Sequence, residues 1–116
     1  MARPDLDRLR RIQTAALDQR GVLERASSAS DGMGGATQIW YTVANLPCSL
    51  GAPRHEGERV LVERLTRGAG WMLTLPWDAG AKGGDRFLLD GLAYQVVYVE
   101  DAVSYLTALR CVVEVR

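Results

Sequence analysis

The feature that most constrains the fold is an Asp-Gly pair, Asp90-Gly91, that lies between two segments of strand-forming residues, Arg86–Leu89 and Leu92–Val99. Asp-Gly readily adopts the positive φ angles of a type I′ turn, which suits the twist of two antiparallel strands. The pattern therefore predicts a β-hairpin. A last strand follows, in which side chains alternate between two faces. One face is predicted to carry Tyr105, Thr107, Leu109, Cys111, Val113 and Val115, and the other Leu106, Ala108, Arg110, Val112, Glu114 and Arg116.

Three further strands are predicted before this hairpin. Residues 22–25 form a short strand, followed by a flexible run of small residues and glycines at 27–35. Residues 37–50 are rich in β-branched and aromatic side chains, and residues 71–75 form a strand that ends at Pro76. Many short strands with turn signals between them predict a mainly β fold, a small β-barrel in which closure removes exposed strand edges.

Two helical segments accompany these strands. Residues 1–20 are predicted to be an N-terminal amphipathic helix or arm, which begins near Pro4 and ends before Gly21. This helix either packs on the sheet or docks on a neighbouring subunit, and the remaining residues, 21–116, form a single barrel domain. Residues 55–67 are predicted to be a short helix or long loop between the second and third strands, with Glu58 and Arg59 on its exposed side.

The charge balance argues against a protein that grips nucleic acid. The 116 residues include 14 basic and 14 acidic side chains, so the formal net charge is zero. Neutralisation of phosphates supplies much of the affinity of nucleic-acid-binding proteins, which therefore usually have a basic excess. No apolar run approaches the roughly 20 residues that span a bilayer, and the polar N-terminus does not resemble a signal peptide. No membrane association is expected.

Residues that could support catalysis are few. His55 is the only histidine, so any triad would depend on it, and it lies in a charged segment. Cys48 and Cys111 are far apart in sequence and are expected to be buried, reduced thiols. The glycines at 32–35 lack the Lys-Ser/Thr that follows in a phosphate-binding loop. The sequence therefore predicts no enzymatic activity, no cofactor and no metal site.

The arginines and tryptophans suit protein interfaces. All basic residues except Lys82 are arginine, whose planar guanidinium pairs with carboxylates in interfaces, although a skewed genomic base composition gives the same bias. Trp40 and Trp71 are expected to be core or interface anchors rather than a platform for nucleic-acid bases. The candidates for subunit contacts are Arg8, Arg11, Trp77, Asp78 and Lys82. A cytoplasmic barrel that binds a small ligand or RNA is the alternative from another class.

Several short motifs follow one another in order from about Gln19 to the C-terminus. The first are Asp31-Gly32-Met33-Gly34-Gly35, Gln38-Ile39-Trp40 and Leu46-Pro47-Cys48-Ser49-Leu50. The later ones are Gly57-Glu58-Arg59, Leu73-Thr74-Leu75-Pro76, Gly84-Asp85-Arg86 and Asp90-Gly91-Leu92-Ala93-Tyr94-Gln95-Val96. No single motif is specific, but the ordered set resembles the head-completion proteins of long-tailed bacteriophages and related gene transfer particles, also called head-closure, stopper or head-tail joining proteins.

The resemblance implies a structural virion protein that forms a homo-oligomeric ring in the neck of the particle. A portal or adaptor protein is expected above the ring and a tail-terminator or tail protein below it. Double-stranded DNA is expected to pass through without sequence-specific binding. An adaptor or tail-terminator ring of the same neck is the alternative.

The resemblance also implies a gate. In this family the loop between the second and third strands reaches into the channel and retains the packaged DNA. That loop corresponds to residues 50–70 of this sequence. The candidate gate residues are Arg54, His55, Glu56, Glu58 and Arg59.

Overall fold

The computed structural model describes residues 5–30, 32–67, 70–100 and 107–115. These residues form, in chain order, α1 (Leu6–Ala15), β1 (Gln19–Ser30), β2 (Ala36–Gly51), α2 (Glu56–Leu65), β3 (Gly70–Pro76), β4 (Arg86–Leu89), β5 (Leu92–Val99) and β6 (Ala108–Val115). The prediction of a mainly β chain with an N-terminal helix is confirmed. The segment between the second and third strands, predicted to be either a short helix or a long loop, contains the helix α2.

The described strands form one ring-like antiparallel sheet, in the order β1-β2-β3-β6-β5-β4, with β4 pairing back onto β1. We call it the closed sheet. The β4–β5 hairpin has the predicted turn, since Asp90 and Gly91 have φ angles of 50° and 81°. Because each strand pairs with two neighbours, the side chains on the inner face enclose a common core.

The inner face of the closed sheet holds the larger apolar cluster. Its buried strand residues are Leu23, Cys48, Leu73, Leu75, Phe87, Leu89, Tyr94, Val96, Leu109, Cys111 and Val113. The loop after β3 covers one end of this core with Ala79 and Ala81. A smaller cluster lies outside the sheet, where Val62 of α2 packs on Met72 and Val112. Helix α2 therefore covers part of the outer face, which explains why both faces of β6 are buried.

The N-terminal helix is shorter than predicted. It ends at Ala15, and Gln19 and Arg20 already belong to β1, where they pair with Cys48 and Pro47. Gly21 does not end the helix but lies within β1, where an added Cβ would overlap the Phe87 ring. Pairing with β2 thus outcompetes the helical pattern in this segment.

The first strand is longer than predicted. The run at 27–35 was predicted to be a flexible connection, but its first part, residues 27–30, is strand, because β1 pairs with β2 from Gln19↔Cys48 to Ser30↔Ala36. Only Val22–Glu24 of β1 pair with β4, and only Ser49–Gly51 of β2 pair with β3. Residues 26–30 and 32–43 therefore project past the closed sheet as a two-stranded ribbon with its turn, and we call the stretch 26–43 the hairpin extension. It gives the molecule an elongated shape of 63 × 28 × 26 Å.

The predicted register of the last strand is confirmed for Leu109, Cys111 and Val113, which share the core with Tyr94 and Val96. Tyr98, predicted to join them, is 42% exposed, because a bulge between Val96 and Tyr98 turns it to the outer face. Residues 105, 106 and 116 of the predicted strand lie outside the described residues.

Replacing Leu109 by Ala should destabilise the protein by about 2–5 kcal/mol, because it leaves a cavity in the main core. Val115→Ala is the matched control on the same strand and face, since Val115 is largely exposed at the strand end. Its cost should be under about 1 kcal/mol, since little apolar surface is buried there. Urea denaturation of both variants measures the difference, and equal stabilities would show that the register of β6 is wrong.

Candidate functional site

The segment between β2 and β3, which contains the predicted gate residues, is built around α2. His55 is the N-cap of this helix, and its Nδ1 accepts a hydrogen bond from the Glu58 backbone N–H at 3.3 Å. Glu56 and Glu58 lie in the first turn, where carboxylates interact favourably with the positive end of the helix dipole. At the other end, the Thr66 hydroxyl donates to the Val62 carbonyl oxygen at 2.6 Å. Helix α2 is therefore a defined element with a cap at each end.

A buried ion pair connects α2 to the closed sheet. Arg110 of β6 donates from Nε to Glu58 Oε2 at 3.0 Å and from Nη2 to Oε1 at 2.6 Å. Arg110 Nη1 also donates to Thr74 Oγ1 of β3, and the Arg54 backbone N–H donates to Glu58 Oε1 at 2.8 Å. The Glu58 and Arg110 side chains are only 1% and 4% exposed. We call this group, Arg54 N–H, Glu58, Thr74 and Arg110, the tether.

The tether keeps Glu58 ionised. Burial by itself raises the pKa of this carboxyl, but the hydrogen bonds from Arg110 and from the Arg54 N–H outweigh it and hold the pKa below its usual range. An ion pair in which both carboxylate oxygens accept a hydrogen bond from one guanidinium group is bidentate, and this is the stronger form of an Arg–carboxylate pair. The negative charge of Glu58 is therefore engaged in an ion pair within the chain rather than exposed to solvent.

The predicted exposed position of Glu58 is wrong, because its partner comes from a strand 52 residues later in the chain. The other gate candidates, Arg54, His55, Glu56 and Arg59, have exposed side chains. Arg59 and Glu56 approach each other to 3.6 Å on the solvent side of α2. Among the gate candidates, Glu58 thus anchors α2 to the sheet, while the other four residues are exposed and carry both positive and negative charges.

Three of the predicted interface residues lie together in a groove between α1 and the closed sheet. This groove has a volume of about 650 Å³ and is lined in part by Arg11, Trp77 and Asp78. The neighbouring guanidinium of Arg10 lies 3.7 Å from the centre of the Trp77 ring, a cation–π contact that holds α1 against the loop after β3. This stacking was not predicted from the sequence.

The other two interface candidates lie elsewhere. The backbone N–H of Arg8 donates to the side chain of Asp5, the N-cap of α1, and its own side chain is exposed. The Lys82 backbone N–H donates to Asp85 Oδ2 at 2.9 Å in the loop that covers the core. Neither residue lines the groove, so the five candidates do not form one surface.

Two ion pairs at the base of the hairpin extension were also missed from the sequence. Arg25 donates to both carboxylate oxygens of Asp85, and this contact raises the pKa of the Arg25 guanidinium. Arg86 donates to Glu24 Oε1 at 2.6 Å, and its guanidinium lies 4.2 Å from the centre of the Trp40 ring. Both pairs join residues about 60 positions apart, so no local pattern indicates them.

The cysteines lie in the core, as expected. Burial raises the pKa of the Cys48 thiol to about 11 and that of Cys111 to about 12. Both are therefore protonated at neutral pH and poor nucleophiles. Among the described residues, no group of three or more His, Cys, Asp or Glu side chains is arranged to hold a metal ion. Neither described helix is long and apolar enough to cross a membrane.

Breaking the tether should be costly. Glu58→Ala leaves the Arg110 charge buried without its carboxylate, and we expect a loss of about 3–5 kcal/mol in the free energy of unfolding. The double variant Glu58→Leu/Arg110→Met removes both charges and should recover a large part of that loss. Chemical denaturation of the single and double variants measures the coupling, and equal losses in both would contradict a specific ion pair.

The tether should also give a pH dependence. Because the pKa of Glu58 is lowered in the folded protein, its stabilisation is complete above the pKa of an unfolded-state Glu, about 4.3, and is lost as the pH falls through the folded value. Thermal melts of the wild type and of Glu58→Leu/Arg110→Met between pH 6 and pH 2 test this. The double variant should lose less stability over that interval, and parallel curves would contradict the prediction.

Comparison with known proteins gives the family. A family model described as phage head completion protein matches residues 12–116. No curated protein matches the sequence significantly. The fold is shared with the solution structure of protein SF1141 from Shigella flexneri 2a, at a TM-score of 0.65 and 13% identity over 85% of this chain and 92% of that one. It is also shared with a chain of the virion of a native gene transfer agent particle, at a TM-score of 0.57 and 17% identity over 84% and 92%.

The resemblance stated from the ordered motifs is therefore confirmed, and the matched residues include nearly all of the chain. The family supports a structural role in a phage-type virion. Because the family model spans the closed sheet, α2 and the hairpin extension together, the chain belongs to the phage head completion protein family.

Proposed function

We propose that the protein forms a ring at the head–tail connector, closes the DNA-filled head beneath the portal or adaptor, and joins it to the tail. The match to the phage head completion family over residues 12–116 is the observation that carries this proposal. In it, the closed sheet acts as a small β-barrel, a rigid body that repeats around the ring. A rigid subunit with different surfaces at its two ends suits a ring, whose contacts are heterologous.

The charge distribution supports a channel that DNA passes through. The chain has no net charge, and the exposed set on α2 contains both signs. A wall with a strong positive field would hold the phosphate backbone, whereas alternating charges pair with one another and leave little net attraction. This arrangement supports passage of DNA without sequence-specific binding.

We infer that the gate is the exposed N-terminal part of α2 with the residues just before it, namely Arg54, His55, Glu56 and Arg59. Glu58 acts differently, because it fixes the helix to β6 and β3. A hinge motion of the whole segment between β2 and β3 would separate a buried ion pair at a cost of about 3–5 kcal/mol. A gate that works by side chains and by relative motion of subunits avoids that cost.

Neutralising the exposed charges tests the gate without touching the tether. In Arg54→Gln/Glu56→Gln/Arg59→Gln, each side chain keeps its polarity, so the fold should be retained. Glu63→Gln/Arg64→Gln is the matched control, since both residues are exposed on the same helix outside the candidate set. Heads should fill in both cases, but the triple variant should release DNA from tail-less particles.

The measurement is the fraction of packaged DNA that stays protected from nuclease in purified tail-less particles. Loss in the triple variant and retention in the control are expected. Equal retention in both would rule out the gate assignment while leaving the connector ring possible. An adaptor or tail-terminator position would appear instead as heads that stay closed when the protein is absent.

A further inference from the structure

The hairpin extension differs in composition from the rest of the chain. Residues 26–43 include a single charged side chain, Asp31, although 24% of all residues are charged. Natural proteins usually protect a projecting strand edge with charged side chains, especially lysine. The buried cores of protein interfaces, in contrast, are poor in charge and rich in aromatic residues. In its low charge, the extension resembles the core of an interface.

The extension also has an open edge. Between Ala36 and Cys48, β2 pairs with β1 on one side, and its pairing with β3 begins only at Ser49. Along this stretch the described part of the chain supplies no strand on the second side. Every other residue of a strand directs its N–H and C=O groups to that side. A row of backbone donors and acceptors is therefore open to a neighbouring molecule.

One face of the extension carries two large exposed side chains, Ile39 and Tyr41, beside the Arg25–Asp85 ion pair. Glu24 contacts Arg86 on the outer face of the sheet. Because successive residues of a strand point to opposite faces, Arg25 and its cross-strand partner Tyr41 lie on the face that continues the inner face of the closed sheet. Ile39 shares that face, two residues earlier in β2. Ile39 and Tyr41 are 49% and 47% exposed, whereas Trp40 on the opposite face is stacked on Arg86.

Three exposed apolar side chains lie at the other end of the same molecule. Trp71, Leu92 and Val115 are each two residues from a core residue of their strand, and they are 38%, 48% and 46% exposed. The extension and these residues lie at opposite ends of β4. Arg86, at the start of β4, pairs with Glu24 at the base of the extension, whereas Leu89, at the end of β4, pairs with Leu92. We call Trp71, Leu92 and Val115 the open end.

We propose that the face of the hairpin extension that carries Ile39 and Tyr41 docks on the open end of a second copy of this chain. This inference rests on the proposed ring and identifies the contact that builds it. Two different surfaces at opposite ends of one chain give a heterologous contact, which repeats from copy to copy and closes when the rotation fits. A DNA partner does not suit the extension, because residues 26–43 contain no Lys or Arg.

Photo-cross-linking in assembled particles tests this contact. Ile39 is replaced by p-benzoylphenylalanine, and the particles are irradiated, digested and analysed by mass spectrometry. We expect a covalent dimer of this chain, with adducts on the peptides that contain Trp71, Leu92 or Val115. The same replacement at Val60, which is 39% exposed on α2, is the matched control and should give no covalent dimer joined through those peptides. Adducts within one copy are expected there, because α2 packs on Met72 and Val112, and they leave the chain a monomer.

A second variant measures the strength of the contact. Ile39→Asp puts a charge in this contact, and we expect at least about a tenfold loss of copies per particle, which corresponds to about 1.4 kcal/mol. Val60→Asp should leave the copy number unchanged, and circular dichroism should show both variants folded. Unchanged occupancy with Ile39→Asp would overturn the inference.

The outcomes separate this inference from the proposed function. Adducts at position 39 with a portal or tail protein, in particles that retain their DNA, would overturn docking on a second copy and leave the connector assignment intact. Particles that lack the chain but retain DNA and infect or transfer normally would contradict the proposed function itself.

Discussion

The fold depends on β1, because this strand pairs with both β2 and β4. Its residues Val22–Glu24 pair with β4 and close the sheet, while the whole strand pairs with β2 and continues past the closure as the hairpin extension. Closure requires β1 and β4 to approach closely, and Gly21 permits it because the Phe87 ring occupies the space of a side chain. The same strand thus completes the core and carries the surface that we assign to assembly.

The tether explains how a charged helix is held on this sheet. Val62 and the partly buried Leu61 give α2 an apolar contact with Met72 and Val112, and the buried pair of Glu58 with Arg110 adds a second point of attachment. Such a pair contributes less to net stability than to geometry, because the desolvation of both charges offsets much of their attraction. In the gate that we propose, this contact would hold the exposed charges of α2 at a defined distance from the channel.

Local signals in the sequence were sufficient for the β4–β5 hairpin, for α2 and for the core face of β6. They failed where the decisive partner is distant in the chain. The serines and glycines at 27–35 indicate a flexible loop, yet pairing with β2 makes the serines part of β1. The charge of Glu58 indicates a surface position, and only Arg110 makes its burial possible. Of the interface candidates, the groove joins Arg11, Trp77 and Asp78, while the ordered motifs indicated the family before any contact was known.

The most direct test is electron cryomicroscopy of the neck of intact particles that carry this protein. The account predicts a ring of copies between the portal or adaptor and the tail, with the hairpin extension of each copy on the open end of the next. Residues Arg54, His55, Glu56 and Arg59 should line the channel, and Glu58 should remain on Arg110. A ring that is absent from the neck, or one in which α2 faces outward, would contradict the account.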